Sequence, residues 1–288
     1  MSPSVQGFGV ADGSGGVVIP QTPFILASAS KSFTALAIMQ LVEDGKVDLD
    51  APVVTYLPSF SVADESASAT IMVRHLLNHT SALPESTAYE PMPSNDISDT
   101  ALNERMRAVS DAEVNHGVGE VFEYTDAKYE AFGLIVEKVS GQPYETHIHE
   151  RIFAPMGMSH SFTNQSDARQ SGMASGQRSW FGFPGHSTGP THGPPCRAAT
   201  SSQAPRTSRP SRPTQRRNLR RRVHPFPAGI AAMHQPAVQE GDRDIFYGMD
   251  WESRTLAGVW AGTASVPAAG SCARPRDEPE QALTGRST

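Results

Sequence analysis

The segment TPFILASASKSFTALAIMQLVEDGKVDLD, residues 22–50, limits the possible folds more than any other part of the chain. Phe33, Leu36, Ile38, Met39, Leu41 and Val42 cover most of the circumference of a helix expected over 28–44 and stopped by Gly45, so other elements must wrap around it. Lys31 stands at the wrong end of that helix. The first turn carries unpaired N–H groups and a partial positive charge, which welcome a serine and disfavour a cation. Two arrangements answer this. In one, Ser28 or Ser30 caps the helix and Lys31 extends to water. In the other, Ser28 is a nucleophile and Lys31, pushed toward its neutral form by burial and the helix end, helps remove its proton. The Ser-x-x-Lys spacing cannot choose between them, because a chain of 288 residues meets it by chance about once.

Upstream, GFGVA and VVIP flank DGSGG, the pattern of two short strands around a glycine-rich turn; Asp12 stands where a dinucleotide-binding loop would need glycine. Downstream, APVVTYLPSF is a Pro-punctuated extended link, and TIMVRHLLNHTSALP is a short helix ended by His79, Thr80 and Ser81. His75 and His79 share a helical face, but Leu76 stands where a zinc-binding helix carries its glutamate, which points to structural histidines. Residues 85–100 are polar loop, and DTALNERMRAV (99–109) has an amphipathic helical period. Tyr124 ends a short extended piece, a helix over 127–139 stops at Gly141, and another follows Pro143. His147 and His149 on that last helix point in different directions and are not joint ligands. Residues 23–165 therefore read as one coherent, mainly helical unit.

After about residue 185 the character changes. Residues 196–222 hold nine arginines and no acid in a chain whose net charge is −6, while all four lysines (Lys31, Lys46, Lys128, Lys138) lie in the first half. This stretch has neither period 2 nor period 3.6, and 261–288 lacks a pattern too. The apolar fraction of 38%, against roughly 45% for soluble domains, predicts a core small for the length. Cys196 and Cys272 show no metal-ligand spacing. No apolar run reaches a membrane span and the N-terminus shows no signal pattern, so the chain as written is expected in the cytoplasm.

TPFILASASKSFTALAIMQLVEDGKVDLDAPVVTYLP, VRHLLNHTSALP, FEYTDAKYEAFGLIVEKVSGQPY and RIFAPMGM, in that order and spacing, closely resemble the serine β-lactamase family of the class C type, which also includes penicillin-binding D,D-peptidases and related esterases. The resemblance covers about 5–165 and again 226–253. It implies an α/β (α+β) fold, an antiparallel sheet flanked by helices with a helical inserted domain and a cleft between them, the sheet here being incomplete. It implies four domain segments: 1–189, the first part of the β-lactamase-related domain, truncated at its start; 190–225, Arg/Pro-rich and irregular; 226–260, family-like again; and 261–288, an irregular tail.

By the same resemblance Ser28 is the acylated nucleophile, Lys31 its partner, and the Tyr-x-Asn element falls on Tyr124, Thr125 and Asp126. Tyr124, made acidic by the lysine ammonium, then acts as general base, and Asp126, on the substrate side, also lies near Lys31, holds it protonated and so opposes its role as a neutral base. The family's third element, Lys/His-x-Gly on a strand, is not legible: GVWAGT has Ala261 where a histidine is common, and no strand pattern follows. Ala82 and Val118 replace a usual glycine and proline.

The function this implies is a serine hydrolase with an acyl-enzyme at Ser28, acting on small-molecule ester or β-lactam-like amide substrates, with no cofactor or metal and with impaired activity. The alternative is a non-catalytic remnant in which 190–225 and 261–288 are read out of frame. Nucleic-acid binding through the arginines is disfavoured, because no aromatic residues are interleaved with them.

Overall fold

The computed structural model describes residues 6–84, 87, 106–107, 109–180, 183–186, 200–201, 227–241, 244–256 and 259–264. At its centre is α1 (Lys31–Glu43), entered through a 3-10 turn, Ala27–Ser30. The expected apolar helix is thus present, but Ser28 lies in the turn before it and Lys31 is its first residue. Neither serine caps it: the Ser30 hydroxyl donates to the Ala27 carbonyl at 2.6 Å. Its end is as expected, with Gly45 at φ +69° and its N–H bonded to the Val42 carbonyl.

Two short helices, α2 (Glu65–Thr70) and α3 (Val73–Leu77), follow a link that contains a 3-10 turn, Val53–Thr55. No period announced α2; its signal is Asp64, whose carboxylate accepts the Ala67 N–H at 3.0 Å as an N-cap. Residues 106, 107 and 109 of the expected amphipathic helix are helical, and the rest of it lies outside the described residues. Then come α4 (Ala127–Ser140), stopped by Gly141 at φ +74°, and α5 (Tyr144–Ile148), continued by a π-helical turn, His149–Phe153, and α6 (Ala154–Met156). A final helix of this unit is α7 (Gln165–Gln170).

Helix α1 packs on α4 and α5, and the buried apolar residues form one cluster that runs from Ala35 to Met249. Two polar pairs inside it join separate elements. Thr34 and Tyr144 share a hydrogen bond of 2.6 Å, and Gln40 donates to the Arg151 carbonyl. Burial of α1 on nearly all sides is why its apolar residues needed no single face.

The N-terminal hairpin is present as one bridge, Val10 with Val17, and Asp12 organises its turn by accepting the N–H groups of Ser14 and Gly16. Two antiparallel pairs stand apart from the main sheet: β1 (Ser161–Phe162) with β4 (Thr200–Ser201), and β2 (Gln177–Trp180) with β3 (Phe183–His186). Helix α8 (Pro227–Met233) leads into a sheet of β5 (Val238–Gln239), β6 (Ile245–Tyr247), β7 (Trp251–Leu256) and β8 (Val259–Ala264), antiparallel and in sequential order. Among the described residues the sheet is small and not closed.

One expectation fails here. Strand β8 occupies VWAGTA, with Ala261 opposite Arg254 and Gly262 opposite Ser253. The sequence was expected to show no strand at this point, and 261–288 was expected to be irregular from its first residue. Backbone pairing with β7 supplies order that the side-chain pattern does not announce. Among the described residues no helix is long and apolar enough to cross a membrane.

Candidate active site

The backbone enters the site through Ala27 at φ +48°, a left-handed conformation that costs an L-residue about 1–2 kcal/mol. Ser28 follows immediately. The first turn of α1 then places Lys31 one turn further on, only 2% exposed, with Nζ 3.2 Å from Ser28 Oγ. From the segment before α4, Tyr124 brings its hydroxyl to the same oxygen at 2.9 Å. Asp126, at the start of α4, meets Lys31 Nζ at 2.5 Å. All four residues picked out by the sequence thus converge, although Ser28 and Tyr124 are 96 positions apart.

Lys31 has the burial and the helix end expected to neutralise it, and beside them an opposite influence. The Asp126 carboxylate favours the ammonium, and the contact is an ion pair rather than an aligned hydrogen bond. Two ring faces complete the enclosure, with Nζ 4.9 Å from the centre of Tyr124 and 5.9 Å from that of Tyr129.

The expected acidic Tyr124 is corrected by the structure. Burial pushes its phenol up to about 12; Lys31 acts against this, but Asp126 adds to it. Burial outweighs the ammonium that was to acidify the phenol, so Tyr124 is a proton donor at rest.

Behind these groups lies a buried layer that sequence reasoning missed. His79 is 0% exposed at φ +56°, and its ring stacks on Tyr124 at 4.6 Å and lies 5.4 Å from Tyr129 and 5.2 Å from Tyr247. Its Nδ1 accepts the Thr125 N–H, so it fixes both the ring and the backbone of the Tyr124 segment. Burial, then Lys128 and Lys31, hold it neutral, with a pKa well below the usual histidine value. His75, its supposed companion, instead accepts the Met72 N–H at 3.2 Å through Nδ1. Lys128 is fully buried and donates to the Glu123 carbonyl; burial lowers it to about 7. The string Asn78-His79-Thr80 was visible, but nothing in it said that the ring would turn under Tyr124.

A family model described as Beta-lactamase matches residues 4–277. The chain is 32% identical to Protein flp of Staphylococcus aureus (strain MW2) over 148 residues, 51% of this chain and 29% of that protein. It is 31% identical to Penicillin-binding protein 4 of Amycolatopsis lactamdurans over 156 residues, 54% of this chain and 40% of that protein. It thus spans less than half the length of these curated relatives. Among solved structures, the octameric penicillin-binding protein homologue from Pyrococcus abyssi superposes with a TM-score of 0.68 at 24% identity, covering 88% of this chain and 59% of that one. EstCE1, described as a hydrolase with promiscuous acyltransferase activity, gives 0.65 at 21% identity, covering 87% and 74%. With the matched family model spanning nearly its whole length and the same fold in both structures, the chain belongs to the Beta-lactamase family, whose fold places Ser28, Lys31 and Tyr124 side by side.

Proposed function

We propose that this protein is a serine hydrolase that forms an acyl-enzyme at Ser28 with small esters or β-lactam-like amides. The observation that carries this is the pair of donors, Lys31 Nζ and Tyr124 hydroxyl, that meet on Ser28 Oγ. In acylation Ser28 Oγ bonds to the substrate carbonyl carbon and its proton passes to a neutral Lys31. The Tyr124 phenol protonates the leaving group as the scissile bond breaks, and Lys31 returns the proton to Tyr124. Water then hydrolyses the ester at Ser28. Asp126, expected beside Lys31 as well as on the substrate side, meets Lys31.

The resting site is poorly poised for this. Lys31 must first lose the proton that Asp126 favours, and the resemblance leaves Ala261 where a polar residue would engage the substrate. We therefore expect labelling at Ser28 with slow turnover. Exposure of the purified protein to a fluorescent penicillin or fluorophosphonate, beside Ser28→Ala, tests it: labelling confined to the parent supports the reading, and labelling that survives the substitution refutes it. A folded parent that does not label favours the non-catalytic remnant.

Segments 190–225 and 261–288, between and after the family-like 1–189 and 226–260, we take to be out-of-frame translations of family-like DNA. The lack of period and the richness in Arg, Pro, Ser and Ala over 190–225 and 265–288 support this, while the strand over 261–264 does not. Shifted frames that encode nothing family-like would end the idea.

A further inference from the structure

Asp126 stands where the resemblance calls for an asparagine, and the difference is one charge beside the nucleophile. Its Oδ1 is buried against Lys31 Nζ at 2.5 Å, and the same Nζ lies 3.2 Å from Ser28 Oγ, so carboxylate and nucleophile share one cation. The pair is not symmetric toward solvent. Lys31 is 2% exposed and the Asp126 side chain 21%, so the ammonium lies beneath and the open part of the pair belongs to the acid. Lys128, the other lysine packed against the Tyr124 segment, is 0% exposed and turned to the Glu123 carbonyl. Tyr124 adds no charge, its phenol being kept protonated by burial. A substrate that comes to Ser28 from solvent therefore meets the ion pair by its negative end. Two opposite charges at unequal distances do not cancel: the nearer one dominates, and a partly enclosed site screens it less than bulk water does.

We propose that Asp126 sets the substrate class by charge: the site takes uncharged esters and amides and rejects acyl donors that carry a carboxylate beside the scissile bond. This rests on the serine-hydrolase reading and narrows it. Penicillins are of the rejected kind, with a carboxylate on the carbon next to the lactam nitrogen. When such a carbonyl carbon reaches Ser28 Oγ, that carboxylate is brought toward Asp126, whose two oxygens accept hydrogen bonds and donate none. An asparagine would offer N–H groups there instead. Lys31 does not offset the repulsion from below, because its ammonium is already paired with Asp126. An acyl donor without the carboxylate meets no such cost.

The test compares two probes that differ by one charge, a fluorescent penicillin with its free carboxylate and the methyl ester of the same compound, as rates of labelling of Ser28 in the full chain at neutral pH. The parent should label faster with the ester, and Asp126→Asn should lower the ester-to-acid rate ratio about tenfold, the effect of one like-charge contact at a partly exposed site. Both probes depend on the same Lys31 proton, so a change in how firmly it is held moves both rates and leaves the ratio alone. A difference in ring reactivity between ester and acid is common to parent and variant, and cancels too. Salt gives a second reading on the parent itself: raising ionic strength from about 0.01 M to about 1 M, which shortens the screening length from about 30 Å to about 3 Å, should speed labelling by the acid and not by the ester. An unchanged ratio in the folded variant overturns the assignment, and so does an acid rate in the parent that salt does not raise; if the variant does not fold, the salt series decides. Labelling of the parent by an uncharged fluorophosphonate but by neither penicillin probe overturns this assignment and spares the hydrolase reading. Labelling by none of the three overturns both.

Discussion

At the scale of single residues, the chemistry of the site depends on which group holds each proton. Lys31 and Asp126 form a largely enclosed ion pair, 2% and 21% exposed. Removing one partner leaves the other charge without compensation, so Asp126→Asn should lower stability by about 1–3 kcal/mol. It should also raise the neutral-pH labelling rate of Ser28 by about tenfold, since a buried lysine without its carboxylate sheds its proton more readily. Thermal unfolding and labelling kinetics on one preparation read both; an unchanged or lower rate would show that Asp126 does not restrain Lys31. Tyr124 behaves differently. With its phenol near 12 it does not ionise over the working range, so Tyr124→Phe should lower the rate by about 10²- to 10⁴-fold while the pH profile keeps its shape. A shifted rising limb in that variant would assign the titration to the tyrosine. These four residues were legible because family-like strings surround them. His79 was not, since its role depends on which rings it meets after folding.

At the scale of elements, the turn between β6 and β7 is the join between sheet and helices. Gly248 donates its N–H to the Trp251 carbonyl, and Met249 donates to Met233 at the end of α8. A Cβ on Gly248 would stand 2.6 Å from the Met233 carbonyl oxygen and 2.7 Å from that of Gln235, both backbone atoms that cannot swing away. Gly248→Ala should therefore force the turn off α8 and destabilise the fold by about 1–3 kcal/mol, read as a lower denaturation midpoint. Labelling of Ser28 should fall with it, because the turn carries Tyr247, whose ring packs on the His79 that supports Tyr124. A midpoint equal to the parent's would mean that the turn docks loosely. The helices α1 and α4 were readable from apolar runs closed by Gly45 and Gly141, and α5 from Pro143 at its start. Strand β8 was not, because its order comes from the ladder with β7.

At the scale of the whole molecule, buried imidazoles set the acid limit of stability. His79 and His147 are both lowered, mainly by burial, with Lys128 and Lys31 adding to the first and Arg151 and Lys46 to the second. The unfolded chain takes up protons at these residues as pH falls through about 6.5, and the fold refuses them. Stability should be full above that pH and decline below it, and His147→Leu, which removes a 3% exposed ring with no hydrogen-bond partner on either nitrogen, should flatten the decline. An acid limb with the same slope in that variant would exclude His147 as a contributor. By itself the sequence determined the buried central helix, the places where helices stop, the family, and the identity of Ser28, Lys31, Tyr124 and Asp126, because these depend on local pattern and on motif strings. Only the tertiary structure decided that Tyr124 stays protonated, that His79 lies beneath it, and that a strand forms at 259–264. Those outcomes depend on burial and on charges brought together from distant parts of the chain, and desolvation and Coulomb interaction are properties of position in space, not of order along the sequence.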